Sequence, residues 1–217
     1  MLLNPIIIKL GGSLIYHRNG EILRNLGDVI SEYSSEYPLL IVPGGGPFAD
    51  VVREFGKQLE LCEETCHFMA LSGMDQYAYV LKDFIPGSVL TDFSDLESTI
   101  PAILSPPFKP QILLCSSFLR QVPENHLERS WDVTSDSIAA YLAKRLNSSL
   151  LVILKSTDID PGIQEPDVDS FFHKLLPLGF PVWFINGLYP DRLSRLMQTG
   201  STQGIYLSST KSYGELF

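Results

Sequence analysis

The sequence predicts an α/β fold built on a mostly parallel central sheet. Two observations carry that expectation. Short continuous apolar runs, Ile6-Ile7-Ile8, Leu39-Leu40-Ile41-Val42, Leu150-Leu151-Val152-Ile153-Leu154 and Val182-Trp183-Phe184-Ile185, suit strands buried on both faces. Stretches with apolar residues at helical spacing lie between them, and a strand–helix–strand succession implies a parallel pair with a right-handed crossover.

The first strand ends in Lys9-Leu10-Gly11-Gly12-Ser13. A lysine there is costly to bury without an anionic partner. The glycines remove side chains at a turn, so backbone N–H groups can approach a ligand, and Ser13 adds a hydroxyl. The pattern fits a phosphate cradle. It equally fits an ordinary Gly-Gly turn with Lys9 snorkelling to water. Asn19-Gly20 reads as a turn, and Ile22, Leu23, Leu26, Val29, Ile30 and Tyr33 mark a helix over 21–33. Pro38 closes that region before the second strand.

The second strand runs into Pro43-Gly44-Gly45-Gly46-Pro47, and Phe48, Val51, Val52 and Phe55 mark a helix after it. A glycine turn at a helix N-terminus suits an anion. Neighbouring parallel strands bring both glycine turns to their carboxyl ends, where open α/β sheets bind ligands. Two phosphate cradles side by side suggest a donor phosphate facing an acceptor.

Residues 59–82 read as a long, broken helical region carrying His67, Met69, Ala70, Met74, Asp75 and Tyr77. Such a stripe suits a core as well as a ligand pocket. Val89-Leu90 and Ile112–Cys115 are expected strands, and Pro101, Pro106, Pro107 and Pro110 predict an irregular connection with little helix. Ser130-Trp131-Asp132-Val133-Thr134-Ser135-Asp136-Ser137 leads into a helix whose apolar positions are Ile138, Tyr141, Leu142 and Leu146. One of Thr134, Ser135 and Asp136 is needed as a cap; three polar groups beside Trp131 exceed that need. The next strand ends in Lys155-Ser156-Thr157-Asp158, so a lysine again stands at a strand's carboxyl end. Residues 171–176 look helical. The strand over 182–185 ends in Asn186-Gly187, before a helix carrying Leu193, Leu196 and Met197. Residues 208–217 read as a frayed tail.

The net charge of −9 argues against nucleic acid or an anionic membrane as the main partner, and no apolar run is long enough for a membrane span. The N-terminus shows no basic leader, so a cytoplasmic location is expected. Cys62, Cys66 and Cys115 lack the second pair a zinc site needs and read as buried free thiols. No nucleophile elbow surrounds a histidine, and the Walker and G-x-G-x-x-G patterns are absent.

Lys9-Leu-Gly-Gly-Ser13, Gly44-Gly-Gly46, Thr134-Ser-Asp136, Leu154-Lys-Ser-Thr157 and Asn186-Gly187 occur in the order seen in the amino acid kinase superfamily, which the chain resembles over nearly its whole length. Within it, Gly44–Arg53, His67 with Met74-Asp75, Ser130–Ser137 and Asn186–Arg192 resemble the phosphate kinases of methanofuran biosynthesis. Those enzymes phosphorylate [5-(aminomethyl)furan-3-yl]methyl phosphate to the diphosphate. The chain departs from the superfamily at Asp160-Pro161-Gly162-Ile163, where an extra proline falls in the nucleotide-covering loop.

The resemblance implies a three-layer α/β/α sandwich over residues 1–207, with an acceptor lobe over about 1–130 and a nucleotide lobe over about 131–207. It implies ATP and Mg2+ as cofactors, a small-molecule phosphate as substrate, and Lys9 and Asp136 as catalytic residues. By that resemblance Lys9 is expected to stabilise the transferring phosphoryl group, and Asp136 to orient Lys9 and, through water, the magnesium. Gly11, Gly12, Ser13, Lys155, Ser156, Thr157, Asp158, Asn186 and Gly187 bind the nucleotide. Gly44, Gly45, Gly46, His67, Met74, Asp75, Trp131, Thr134 and Ser135 are expected to bind the acceptor; Met74, Tyr77 and Trp131 are the candidates to pack its ring, and Asp75 is either the acid for its ammonium or a solvated helix residue. A homo-oligomer is the expected assembly. A UMP or isopentenyl phosphate kinase and a non-catalytic nucleotide-binding or storage protein are the alternatives.

Overall fold

The computed structural model describes residues 3–93, 96–123, 126–130, 133–158 and 168–208. Trp131, the loop around Pro161 and the tail after Ser208 lie outside the described residues. One seven-stranded sheet organises the chain: β1 (Ile6–Leu10), β2 (Leu39–Pro43), β3 (Val89–Thr91), β4 (Gln111–Leu113), β5 (Leu150–Lys155), β6 (Pro181–Asn186) and β7 (Ile205–Ser208). The spatial order is β3-β4-β2-β1-β5-β6-β7; every pair is parallel except β6 with β7. β1 therefore lies between β2 and β5, so three glycine- or lysine-terminated strand ends meet at one place.

The helices are α1 (Glu21–Tyr33), α2 (Gly46–Gln58), α3 (Glu63–Phe84), α4 (Leu96–Ile103), α5 (Cys115–Leu119), α6 (Ser135–Arg145), α7 (Phe172–Leu175) and α8 (Pro190–Thr199). They cover both faces of the sheet, giving the three layers expected. Alternation along the strands decides which residues face which layer. Ile7, Leu40, Val42, Leu151 and Ile153 pack with Ile138, Ala139 and Leu142 of α6. Ile6, Ile8, Ile41 and Leu154 pack with Leu23, Leu26 and Ile30 of α1 and Leu193 of α8. Lys9, two residues beyond Ile7, thus lies on the α6 face, and so does Lys155, two beyond Ile153.

The α1 helix shows how burial outweighs end effects. Its N-cap is Gly20 at φ 83°, and no side chain caps it. A missing cap costs about 1 kcal/mol. Ile22, Leu23, Leu26 and Ile30 are each buried, and each such side chain contributes about 2 kcal/mol.

Several elements differ from the sequence expectation. The break expected inside residues 59–82 falls between α2 and α3, and α3 itself runs uninterrupted for 22 residues. A helix, α4, occupies part of the proline-rich connection. Its exposed Pro101 has a helical φ, and although it forgoes one N–H bond and crowds the carbonyl one turn back, the short helix still forms, so proline content alone did not exclude it. Cys115 opens α5 rather than ending β4. Cys62 is exposed at the start of α3, while Cys66 and Cys115 are buried free thiols. β7 was not anticipated, although half-buried Ile205 and Leu207 alternate with exposed Tyr206 and Ser208. Among the described residues no helix is long and apolar enough to cross a membrane.

The contact between α1 and α3 generates a test of sign. Replacing glycine inside a helix by alanine ordinarily stabilises by about 0.5–1 kcal/mol. A Cβ on Gly27 would lie 1.9 Å from the Phe84 carbonyl oxygen and 2.8 Å from its carbon, both backbone atoms that cannot swing aside. Gly27→Ala is therefore expected to destabilise by about 1–3 kcal/mol. A urea denaturation midpoint at or above that of the wild type would contradict this packing.

Candidate active site

At the carboxyl ends of β1 and β5 stands a buried carboxylate shared by two lysines. Asp136, in the first turn of α6, places Oδ1 2.9 Å from Lys9 Nζ and Oδ2 2.7 Å from Lys155 Nζ. Lys9 and Asp136 are 5% and 4% exposed. Burial drives the Lys9 ammonium below its ordinary value, Asp136 opposes that, and Lys155 adds to it. Burial by itself would raise Asp136, but the two lysines outweigh it and hold the carboxyl below the usual carboxylate range. The site therefore keeps a fixed carboxylate with two cations leaning toward one point, and the helix N-terminus favours the negative charge.

The glycine turns abut this group. Gly11 N–H donates to the Leu154 carbonyl (2.9 Å) and Gly44 N–H to the Leu10 carbonyl (2.8 Å), so both turns extend the sheet ladder. A Cβ on Gly12 would lie 2.0 Å from Gly46 N. Only glycine permits the two turns to approach so closely, and Gly46 opens α2 at φ +53°. Ser13 and Ser156 bridge the mouth through their hydroxyls at 2.8 Å. Lys9, Gly12, Gly45, Gly46, Asp136 and Lys155 line one cavity of about 480 Å³. That volume lies within the usual range for small-molecule sites, about 300–1,000 Å³.

A smaller slot of about 70 Å³ leads off Gly45 and is lined by Gly45, His67, Ala70, Met74 and Ser135. Arg53 lines both spaces. His67 is buried; its Nδ1 lies 3.3 Å from the Ser130 carbonyl oxygen, which takes the proton of that nitrogen. Burial lowers its pKa, so the ring is neutral at pH 7.

Other expected residues sit elsewhere. Asp75 accepts from Ser116 N–H (3.2 Å) and from the Ser116 hydroxyl, on the side of α3 facing α5. It holds the start of α5 and does not line the slot with His67 and Met74. Tyr77 is fully buried in the α1-side core, not beside the slot; its hydroxyl points at the Gly11 carbonyl. Asp75 is turned about 100° from Met74 by the helix and so leaves the slot; Tyr77 lies three residues on, near the edge of the Met74 face, and enters the α1-side core while Met74 packs in the α6-side core. Thr134, by contrast, lines both the cavity and the slot, and its hydroxyl caps α6 by accepting from Asp136 N–H while donating to Asp169. Asp158, Asn186 and Gly187 form a separate group at the ends of β5 and β6. Asn186 Nδ2 donates to Asp158 (3.2 Å), Arg192 donates to the same carboxylate, and Gly187 N–H donates to the Lys155 carbonyl (2.7 Å). The Arg192 hydrogen bond above all holds Asp158 below the usual carboxylate range. Thr157 is exposed beside this group.

Sequence reasoning passed over Arg53, Asp169 and Arg192. Arg53 and Arg192 carried a signal, since each lies within a stretch of the family resemblance. Asp169 carried none, because a lone aspartate beyond an acidic stretch matches no motif.

With this geometry in place, comparison with known proteins identifies the class. A model of the amino acid kinase family matches residues 4–161, and the chain belongs to that family. The chain is 30% identical over 211 residues to the [5-(aminomethyl)furan-3-yl]methyl phosphate kinase of Methanocaldococcus jannaschii, covering 88% of this chain and 92% of the relative. Uridylate kinase from Archaeoglobus fulgidus superposes with a TM-score of 0.65 at 13% identity, covering 90% of this chain and 96% of that one. UMP kinase from Ureaplasma parvum gives 0.69 at 14%, covering 95% and 100%. At these identities the structural likeness concerns the fold alone. The protein is a phosphotransferase.

Two predictions follow from the charges. Asp136→Asn leaves two lysines, one of them fully buried, without their carboxylate, and should cost about 3–5 kcal/mol at pH 7. The folded pKa of Asp136 is depressed, so its stabilisation is present above the unfolded value near 4 and is lost as pH falls through the lower folded value. The stability gap between wild type and variant, measured by urea denaturation, should therefore close only below about pH 4. A gap already closed at pH 6 would show that the ion pairs do not carry it. Asp75→Asn should lower stability by about 1–3 kcal/mol through the loosened α5. It should slow turnover equally on an amine-bearing acceptor and on one lacking the amine; a selective loss on the first would return Asp75 to the acceptor.

Proposed function

We propose that the protein transfers the γ-phosphoryl group of ATP to a phosphate monoester, giving a diphosphate and ADP, and that the acceptor is [5-(aminomethyl)furan-3-yl]methyl phosphate. The observation that carries the reaction is Asp136 fixed between Lys9 and Lys155 beside two interlocked glycine turns. Phosphoryl transfer needs positioning and charge neutralisation more than covalent help. An anionic oxygen of the acceptor phosphate forms the new P–O bond as the bond to the β-phosphate oxygen breaks, and ADP takes the electron pair. No general base is required.

The residues fit a bound nucleotide phosphate chain: backbone N–H groups without intervening Cβ atoms, two cations and a cavity of suitable volume. Magnesium supplies charge neutralisation on the phosphate oxygens. Asp136, on the wall of the cavity, would orient the ion through water. Lys9 meets the transferring group, where its charge counts most in the transition state. Gly12 and Ser13 hold the donor phosphates, and Gly45 and Gly46 at the start of α2 hold the acceptor phosphate; Gly11 and Gly44, whose N–H groups are spent on the sheet ladder, shape the two turns.

Two observations support the acceptor. The similar protein from Methanocaldococcus jannaschii carries that substrate in its name. The slot of about 70 Å³ between Met74, Ala70 and a neutral His67 offers apolar walls to a small flat ring, and opens directly off Gly45.

A coupled ADP-release assay over a panel of phosphate monoesters tests both parts. The aminomethylfuran phosphate is expected to give the highest kcat/KM. Preferential use of UMP or isopentenyl phosphate would overturn the acceptor, and nucleotide binding without ADP release on any monoester would overturn the reaction. In the same assay Lys9→Ala should lower kcat by about 100-fold or more while KM for ATP moves by no more than about threefold.

A further inference from the structure

One half-buried side chain ties the catalytic turn to a distant part of the chain. The carboxylate of Asp169 accepts six hydrogen bonds. Oδ2 takes the Thr134 N–H (3.0 Å), the Thr134 hydroxyl (2.6 Å) and the Ser137 N–H (3.1 Å). Oδ1 takes the Ser137 hydroxyl, the Phe171 N–H (3.2 Å) and the Phe172 N–H (3.1 Å). Four of the donors come from residues that bracket Asp136, and two from the start of α7. Asp169 also lines the cavity that contains Lys9, Asp136 and Lys155.

This exceeds what capping needs. Thr134, the N-cap residue, already caps α6 with its own hydroxyl, and α7 is only four residues long. A carboxylate that accepts from Thr134 and Ser137, on either side of Asp136, fixes the pitch of that turn and hence the direction in which Asp136 leaves the helix. The directions matter because Asp136 must meet cations on two different strands, β1 and β5, with separate oxygens.

We propose that Asp169 is a positioning residue, which holds the first turn of α6 so that Asp136 stands between Lys9 and Lys155. Its kinetic consequence rests on the phosphoryl-transfer reading above; the structural clamp does not. Asp169 does not touch the reacting atoms; it acts through the position of Asp136, and its charge also favours the Lys9 ammonium across the cavity. Its loss is expected to slow the chemical step and to leave acceptor and nucleotide binding nearly intact, because misplacement by about 1 Å can cost about 100-fold in rate.

The test is a double-mutant cycle on the full chain. Asp169→Asn should lower kcat by about 10- to 100-fold with both KM values within about threefold of wild type. In an Asp136→Asn background the same change should lower kcat by less than about threefold, since the group it positions is gone. Multiplying effects, or a loss confined to thermal stability, would reduce Asp169 to a general structural role. Ser137→Ala, which removes one donor and conserves the fold, should shift kcat in the same direction by a smaller factor; an unchanged kcat in both variants overturns the proposal. Hydrogen exchange by NMR provides an arm independent of catalysis. The amides of Thr134 and Ser137 should exchange at least tenfold faster in Asp169→Asn, and unchanged protection there would overturn the clamp. A wild type that releases no ADP, with these amides deprotected in the variant, would instead overturn the functional reading and leave the clamp standing.

Discussion

A buried carboxylate serving two lysines is the constraint around which this structure is arranged. Removing three charges from water is costly, and the cost is offset only when each has a partner at hydrogen-bonding distance. Asp136 meets that condition with one oxygen for Lys9 and one for Lys155. Everything nearby serves the spacing. β1 and β5 are adjacent and parallel, in a register that sets Lys9 beside Ile153. Lys155 then projects two residues further on, to the same face. α6 crosses that face and delivers its first turn to the gap.

The glycine turns answer the same requirement from the other side. Cations at strand ends need anions in front of them, and the turns supply backbone N–H groups where no side chain can intrude. Gly12 and Gly46 come so close that a Cβ on Gly12 would overlap the backbone of Gly46. The two loops form a single surface, and with the lysines behind it that surface suits two phosphate groups facing each other. The neutral His67 and Met74 beside it add an apolar recess that charge alone would not explain.

Much of this was legible before any fold was known, for definite reasons. Strands buried on both faces are continuous apolar runs, so β1, β2, β5 and β6 announce themselves. Glycines and lysines at the ends of such runs lie where parallel sheets bind ligands. Residues 134–136 likewise marked a helix start with more polar groups than a cap uses. Local pattern was weaker where it had to judge facing. Met74, Asp75 and Tyr77 are neighbours in sequence, yet the turn of α3 sends Met74 to the slot, Asp75 to Ser116 and Tyr77 into the opposite core.

The sequence by itself determined the central strands and the main helices, the family, and the loops that carry the chemistry, because those follow from periodicity, from motifs in a set order and from residues placed at strand ends; α4, α5 and β7 escaped it. The family resemblance already set Asp136 against Lys9; only the tertiary structure added Lys155 to the same carboxylate and Asp169 to the turn that carries it. Asp136 meets Lys9 across 127 positions of sequence and Lys155 across 19, and Asp169 reaches back 35 to Thr134. Such pairings are set by which face of the sheet each side chain leaves and which helix crosses there. No local pattern encodes that, since an aspartate with a partner reads the same in sequence as one without.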